Sequence, residues 1–179
     1  MTIPSADEIR SKLCALAFGN PVIQNDFRGI LAEVIIGTAL GAQWQRRSGD
    51  WGGWDFEHLD KTRLEVKQSA ARQTWATPKK PAPPRFDIRS RTGYYVGAEW
   101  NARIGRHAHI YVFAYHPIAD ASADHLKPGQ WQFHVIAADR LPASKTIGLA
   151  KVSALSPEIA WSELSSVVET LRVARTTTC

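Results

Sequence analysis

The amino-acid sequence predicts an α/β domain with a central mixed β-sheet of about four or five strands flanked by helices. Three observations lead to this prediction. The length of 179 residues is typical of a single domain. Segments with the spacing of amphipathic helices lie at both ends of the chain, and segments with strand-like alternation lie between them.

Helical spacing of apolar residues predicts two helices near the N-terminus. The first spans residues 5–17, with Ser5 as its N-cap. The second spans about residues 26–40, with Asn25 as its N-cap and Gly41 at its end. A last helix is predicted over residues 157–173.

That last helix is placed by the sequence Ser156-Pro157-Glu158, in which a capping residue is followed by proline at the first helical position. Between the helices, alternation of apolar and polar residues predicts a set of strands. They cover residues 54–59, 62–69, 86–88, 107–115 and 130–137.

Two segments are predicted to be irregular. Residues 42–53 are polar and rich in glycine, so they are predicted to form a loop. Residues 76–84 hold four prolines, which excludes a helix or a central strand there.

The composition excludes several classes of protein. At 44% hydrophobic and 22% charged residues the chain is globular rather than disordered, and no apolar run is long enough to cross a membrane. Asp7 and Glu8 argue against a secretory signal. Cys14 and Cys179 are too few for a disulfide framework or a zinc cluster, so a cytoplasmic protein is expected.

Positive charge is concentrated in the middle of the chain. Residues 61–106 hold eleven Lys and Arg against three acids, whereas the whole chain has a net charge of only +5. One interpretation is a solvated, loop-rich face, and the other is a surface that binds phosphates of a nucleic acid. The candidate phosphate contacts are Arg72, Lys79, Lys80, Arg85, Arg89 and Arg91.

The residues that could perform chemistry are Asp55 and the tripeptide Glu65-Val66-Lys67. Alternate residues of a strand face the same way, so Glu65 and Lys67 project together while Val66 points into the core. If the two predicted strands are neighbours, Asp55 lies beside Glu65. Two adjacent carboxylates favour a divalent cation, and a nearby ammonium can position water or stabilise developing charge. This set suits phosphodiester hydrolysis.

Other acidic residues and two histidines are further candidates for this site. Glu33 lies on the second predicted helix near Gly29 and Gly37, so that face is bare enough to approach a sheet and bring Glu33 to the cluster. Glu57 could replace or join Asp55. His107 and His109 have a metal-ligand spacing, although packing roles are the favoured interpretation for both because no further ligands are evident.

The set of Glu33, Asp55 and Glu65-Val66-Lys67, followed by Gln68-Ser69, resembles the PD-(D/E)xK nuclease superfamily. The resemblance covers about residues 25–137, and Trp54 stands where the superfamily often has proline. It implies a restriction-endonuclease-like fold and DNA cleavage that depends on Mg²⁺, with Mn²⁺ as a substitute.

The resemblance also implies a role for each matching residue. Asp55 and Glu65 would be metal ligands, Glu33 an accessory acid at the metal, and Lys67 the catalytic lysine. Gln68 resembles the polar catalytic-site residue that often follows the motif.

The leading hypothesis is therefore a metal-dependent DNA endonuclease, in restriction or in DNA repair and recombination. The alternatives are a non-catalytic nucleic-acid-binding or assembly module on the same fold, and an interaction protein whose charged motif is a solvated face. The expected partner is DNA, not a membrane. A homodimer would allow one site in each chain to cut both strands together.

Overall fold

A computed structural model describes residues 3–47, 52–75 and 83–177. Its α-helices are α1 (Ala6–Phe18), α2 (Asn25–Leu40), α3 (Leu149–Leu155) and α4 (Leu164–Thr177). Its first strands are β1 (Trp44–Arg46), β2 (Phe56–His58), β3 (Arg63–Ala70), β4 (Arg85–Asp87) and β5 (Tyr94–Val96). The remaining strands are β6 (Glu99–Asn101), β7 (Ile110–His116), β8 (Gln132–Ala137) and β9 (Thr146–Gly148).

A five-stranded sheet with the order β1-β2-β3-β7-β8 forms the centre of the fold. β3 and β7 are parallel, with Leu64 opposite Ile110, and every other pair in this sheet is antiparallel. The predicted mixed α/β architecture is therefore confirmed. Separate two-stranded pairs are formed by β4 with β9 and by β5 with β6.

The two faces of the central sheet carry different apolar clusters. Leu64 and Val66 of β3 point to the face covered by α2 and α4, where they are buried with neighbouring residues of β7 and β8. Tyr111 and Phe113 of β7 point to the opposite face, where they pack with Phe86 of β4 and with residues of β9 and α3. Because side chains alternate along a strand, Glu65 and Lys67 emerge on this second face.

Helix α1 is capped as the sequence predicts. The Ser5 hydroxyl accepts a hydrogen bond from the Glu8 amide at 3.2 Å, and the Glu8 carboxylate accepts one from the Ser5 amide at 2.7 Å. The apolar stripe of this helix is nevertheless exposed, with Ile9 at 51%, Leu13 at 55% and Leu16 at 71%. The helix therefore contributes little to the core.

The predicted loop over residues 42–53 is wrong in part, because it contains β1. Trp44 is 6% exposed, and its indole N–H donates to Glu169 of α4 at 3.0 Å. Burial of this ring holds residues 44–46 against β2, although the surrounding sequence is polar. Tertiary packing thus overrides the local loop signal.

The start of the last helix also differs from the prediction. A single helical turn begins at Trp161, and α4 begins only at Leu164. Residue Ile159 instead forms an antiparallel bridge with Phe133 of β8, which keeps the chain extended after Pro157. The N-cap of α2 also differs from the prediction. The helix begins at Asn25 itself, and Gln24 is its N-cap.

Several short elements were not predicted at all. They are the β5–β6 hairpin, strand β9 and helix α3. The three strands have three residues each, and the helix has seven. Strand β7 begins at Ile110, so His107 and His109 precede it. Among the described helices, none has the length and apolar character needed to cross a bilayer.

Candidate active site

Asp55 immediately precedes β2 and lies against β3, the neighbouring strand. Its amide donates to the carbonyl of Leu64 at 3.0 Å, and its carboxylate Oδ2 accepts a hydrogen bond from the amide of Val66 at 2.6 Å. The strand pairing itself begins one residue later, with Phe56 opposite Leu64. Neighbouring antiparallel strands thus bring Asp55 to the Glu65-Val66-Lys67 segment.

The four predicted charged residues lie close enough to influence one another electrostatically. Burial and the negative charge of Glu65 raise the pKa of Asp55 to about 7, and Glu33 acts in the same direction. The Val66 amide and the Lys67 ammonium oppose this rise. A nearby cation would stabilise the ionised form of this carboxyl group and lower its pKa.

Glu65 is the most buried of these acids, with 3% of its surface exposed. Its Oε1 accepts hydrogen bonds from Lys67 Nζ at 2.5 Å and from Arg91 Nη2 at 3.1 Å. Its other oxygen, Oε2, is buried and has no hydrogen-bond partner in the part of the chain that the structure describes. An unpartnered buried carboxylate oxygen is costly, so this atom is a natural ligand for a cation.

Glu65 and Lys67 face a cavity of about 270 Å³, which we call the Glu65 cavity. Arg91, Arg106, His107 and Tyr111 line it as well. The Arg106 guanidinium is held by backbone carbonyls, among them those of residues 88 and 142, each at 2.6 Å. Arg106 is therefore fixed in the wall, where it adds positive charge beside the carboxylates of Glu65 and Asp87.

Glu33 lies at the margin of the site on α2. Arg46 of β1 holds its carboxylate through two nitrogens, at 2.7 Å and 2.6 Å. The predicted close approach of α2 to the sheet occurs at Gly37, where a Cβ atom would lie 2.9 Å from the Phe56 ring. At Gly29 a Cβ atom would meet nothing within 4 Å.

Gln68 lies on the face of β3 opposite to Glu65 and Lys67, because strand side chains alternate. Its Oε1 accepts a hydrogen bond from Arg28 Nε at 2.7 Å, and its amide donates to Asn25 Oδ1 at 3.2 Å. Burial lowers the pKa of Arg28 to about 10, since this residue is only 1% exposed. Gln68 thus joins α2 to β3 and does not face the Glu65 cavity.

The predicted phosphate contacts occupy different places. Arg91 lines the Glu65 cavity and forms an ion pair with Glu65. The sequence did not predict this contact, because the two residues are far apart in the chain. Arg89 also lines the cavity and pairs with Asp87 at 2.8 Å, while Arg85 is exposed on β4. Arg72 donates to the backbone carbonyl of residue 120 at 2.5 Å. Lys79 and Lys80 lie outside the described residues.

The weaker candidates do not join Asp55 and Glu65. Burial alone would raise the pKa of Glu57, but hydrogen bonds from Arg47 at 2.5 Å and Lys61 at 3.2 Å lower it below its usual range. His109 accepts a hydrogen bond from the Arg63 amide at 3.0 Å. His107 faces the Glu65 cavity and packs its ring on Tyr94, so the two histidines do not form a metal-binding pair.

The donor atoms of the site suit a hard divalent cation. Asp55 and Glu65 offer carboxylate oxygens, and one of these atoms is buried without a partner. Across residues 3–47, 52–75 and 83–177, no three Asp, Glu, His or Cys side chains are grouped as a complete metal site. Mg²⁺ commonly keeps several water ligands and binds through one or two carboxylates together with substrate phosphates, so two acids are enough.

Comparison of the sequence with protein-family models and with curated proteins found no match.

Proposed function

We propose that this protein is a metal-dependent endonuclease that hydrolyses phosphodiester bonds in DNA, with the restriction-endonuclease-like fold of the PD-(D/E)xK superfamily. The observation that carries the proposal is the buried, unpartnered Oε2 of Glu65 beside Asp55, whose pKa is raised to about 7. Mg²⁺, or Mn²⁺ in its place, would relieve both costs at once.

Asp55 and Glu65 would hold the ion, and Glu33 would add negative charge at the margin of the site. When bound, such an ion polarises a phosphate oxygen and lowers the pKa of a bound water. Lys67, with its ammonium 2.5 Å from Glu65, orients the attacking water and stabilises the charge that develops on the phosphorus-bound oxygens. Arg91 provides a second positive charge beside the same phosphate.

The DNA backbone would follow the basic segment that leads to the cavity. Arg89 lines the cavity and Arg85 is exposed nearby on β4, and Lys79 and Lys80 precede them in sequence. Contacts of lysine and arginine with phosphates give affinity without sequence preference. This grip would present the scissile phosphate to Lys67 and Arg91.

A second function has a specific observation in its favour. Oε1 of Glu65 already forms ion pairs with Lys67 and Arg91, so the charge of this carboxylate is compensated without a metal ion. A non-catalytic nucleic-acid-binding or assembly module on the same fold would need no more than this. The two functions differ in whether divalent ions bind and whether DNA is cut.

The test is cleavage of supercoiled plasmid and of linear duplex with Mg²⁺, Mn²⁺ or EDTA. We expect cleavage by the wild-type protein with either ion, none with EDTA, and none by Asp55→Asn. The control variant is Asp139→Asn, which changes an exposed acid and should cut normally. Salt-dependent binding without cleavage would favour the module, and absence of both would favour an interaction protein.

The same assay tests for a homodimer. Two sites acting together convert supercoiled plasmid directly to the linear form, whereas a single site produces nicked circles first.

A further inference from the structure

A second cavity, of about 480 Å³, adjoins the Glu65 cavity at Gly53, which lines both. Its volume lies within the roughly 300–1,000 Å³ of typical small-ligand sites. Its wall includes Arg47, Trp54, Glu57, Lys61, Arg63 and Tyr95. A ligand in the second cavity would thus be an immediate neighbour of one at Glu65 and Lys67.

The second cavity carries excess positive charge. Glu57 is only 6% exposed. Its carboxylate forms ion pairs with Arg47 at 2.5 Å, Lys61 at 3.2 Å and Arg63 at 3.8 Å. Three cations on one acid leave positive charge to attract an anion. Lys61 is 75% exposed on its side chain, so this charge is accessible from solvent.

Flat ring surfaces accompany this charge. The Arg63 guanidinium lies 3.7 Å from the centre of the Trp54 ring. Tyr95 is 46% exposed at the edge of the cavity, on the β5–β6 hairpin, and its ring centre lies 5.1 Å from that of Trp100, itself 43% exposed. Aromatic and guanidinium planes beside cations are what a nucleotide requires, since its base stacks and its phosphate is anionic.

We propose that the second cavity binds an unpaired nucleotide of DNA next to the scissile phosphate. The inference rests on the proposed function and specifies its substrate as DNA with single-stranded residues at or beside the cleavage site. A base inside a duplex is stacked on both faces and must leave the stack before it can enter such a cavity. A substrate whose bases are already unpaired enters without this cost.

The experiment measures binding in EDTA, so that it does not depend on cleavage. The probes are fluorescein-labelled oligothymidylate of about 12 nucleotides, which is within known single-strand site sizes, and a duplex of the same length. The variants are Tyr95→Ala, Tyr95→Phe and Arg47→Gln. The matched control is Leu126→Ala, which changes another exposed side chain that lines neither cavity.

We expect wild type to bind oligothymidylate more tightly than duplex. Tyr95→Ala should weaken single-strand binding about 5- to 100-fold and leave duplex binding unchanged, while Tyr95→Phe keeps the ring and binds as wild type does. Arg47→Gln should reduce the single-strand salt slope by about 0.7.

Equal loss of single-strand and duplex binding in Tyr95→Ala, or no preference in wild type, would overturn the inference while leaving Mg²⁺-dependent cleavage of duplex intact. Selective binding of single strands without cleavage of any DNA would instead overturn the proposed function and retain the nucleotide site.

Discussion

The carboxylate of Asp55 accepts a hydrogen bond from the backbone amide of Val66, 2.6 Å away. Val66 is the central residue of Glu65-Val66-Lys67, so this contact ties the acid that immediately precedes β2 to the segment of β3 that carries the other acid and the lysine. The same proximity makes the ionised form of Asp55 costly, because burial and Glu65 both disfavour it.

The first prediction concerns pH and Asp55→Asn. The pKa of Asp55 rises from 3.8 to about 7 on folding, so between these values the folded protein holds a proton that the unfolded chain has lost. The free energy of unfolding should therefore fall as pH rises through this range, by up to about 4 kcal/mol from this group. The free energy of unfolding of Asp55→Asn should fall less over the same pH range, because asparagine does not titrate.

Urea unfolding at about pH 5 and about pH 8 measures this difference. Asp139→Asn, at an exposed acid, serves as the control and should follow wild type. An equal fall in stability for wild type and Asp55→Asn would show that Asp55 is not the group responsible.

The second prediction concerns divalent ions. Millimolar Mg²⁺ or Mn²⁺ should raise the melting temperature of wild type, because the ion binds only the folded form, and should leave Asp55→Asn unchanged. Ca²⁺ tolerates looser coordination, so it should support DNA binding with little cleavage. Calorimetric titration and thermal unfolding measure both effects. Absence of divalent binding by wild type with DNA present would rule out the metal site.

The third prediction concerns the two cations on Glu65. Lys67→Ala and Arg91→Ala should each cost about 1–2 kcal/mol of stability, because the other cation still pairs with the same oxygen. The double variant should lose at least about 1 kcal/mol more than their sum, since it leaves a buried carboxylate unpaired. Urea unfolding of the four proteins measures this coupling. In a Glu65→Gln background the coupling should disappear, and additivity in the wild-type background would contradict the shared ion pair.

The fourth prediction concerns the rate of cleavage by Lys67→Ala. The side chain projects into the Glu65 cavity rather than into an apolar cluster, so the variant should fold. Single-turnover cleavage in Mg²⁺ should be slower by roughly two to four orders of magnitude. Metal affinity should not fall, because removing a cation relieves repulsion of the ion. Lys151→Ala, at an exposed lysine of α3, is the control, and full activity in Lys67→Ala would exclude the lysine from the reaction.

The fifth prediction concerns the grip on the DNA backbone. Replacing Lys79, Lys80 and Arg85 together by alanine should weaken binding equally across sequences. It should also reduce the log–log salt slope by about 0.9 for each lost phosphate contact. Gel shifts over a range of salt concentrations measure this slope. The matched triple variant removes the exposed charges of Arg10, Lys12 and Lys151, and an equal change in both proteins would place the DNA elsewhere.

The approach of Asp55 to the Glu65-Val66-Lys67 segment could be predicted because it depends on local rules. Alternation puts Glu65 and Lys67 on one face, and strands close in sequence commonly pair antiparallel. The ion pair of Arg91 with Glu65 could not be predicted, because these residues are 26 positions apart and only the closed fold brings them together. The hydrogen bond of Arg28 with Gln68 could not be predicted either, because these residues are 40 positions apart.

The missed elements have a related cause. β1 is three residues long, and it is held in the sheet by the burial of Trp44 and by the ion pair of Arg46 with Glu33 of α2. The Ser156-Pro157-Glu158 signal is typical of a helix start, but the bridge between Ile159 and Phe133 competes successfully with it. Short segments have weak intrinsic preferences, so their long-range partners decide their structure.

The parallel pairing of β3 with β7 has a consequence for how the protein forms during synthesis. Asp55 and Val66 are 11 residues apart, so the β2–β3 hairpin can assemble as soon as it leaves the ribosome. The part of the Glu65 cavity that Tyr111 lines forms only after residues 71–109 have emerged and β7 has paired with β3. This pairing joins distant parts of the chain, so it is a slow step. A nascent or truncated chain that ends before β7 would carry the acids without the Glu65 cavity, so the proposed hydrolytic activity would arise only once the sheet is complete.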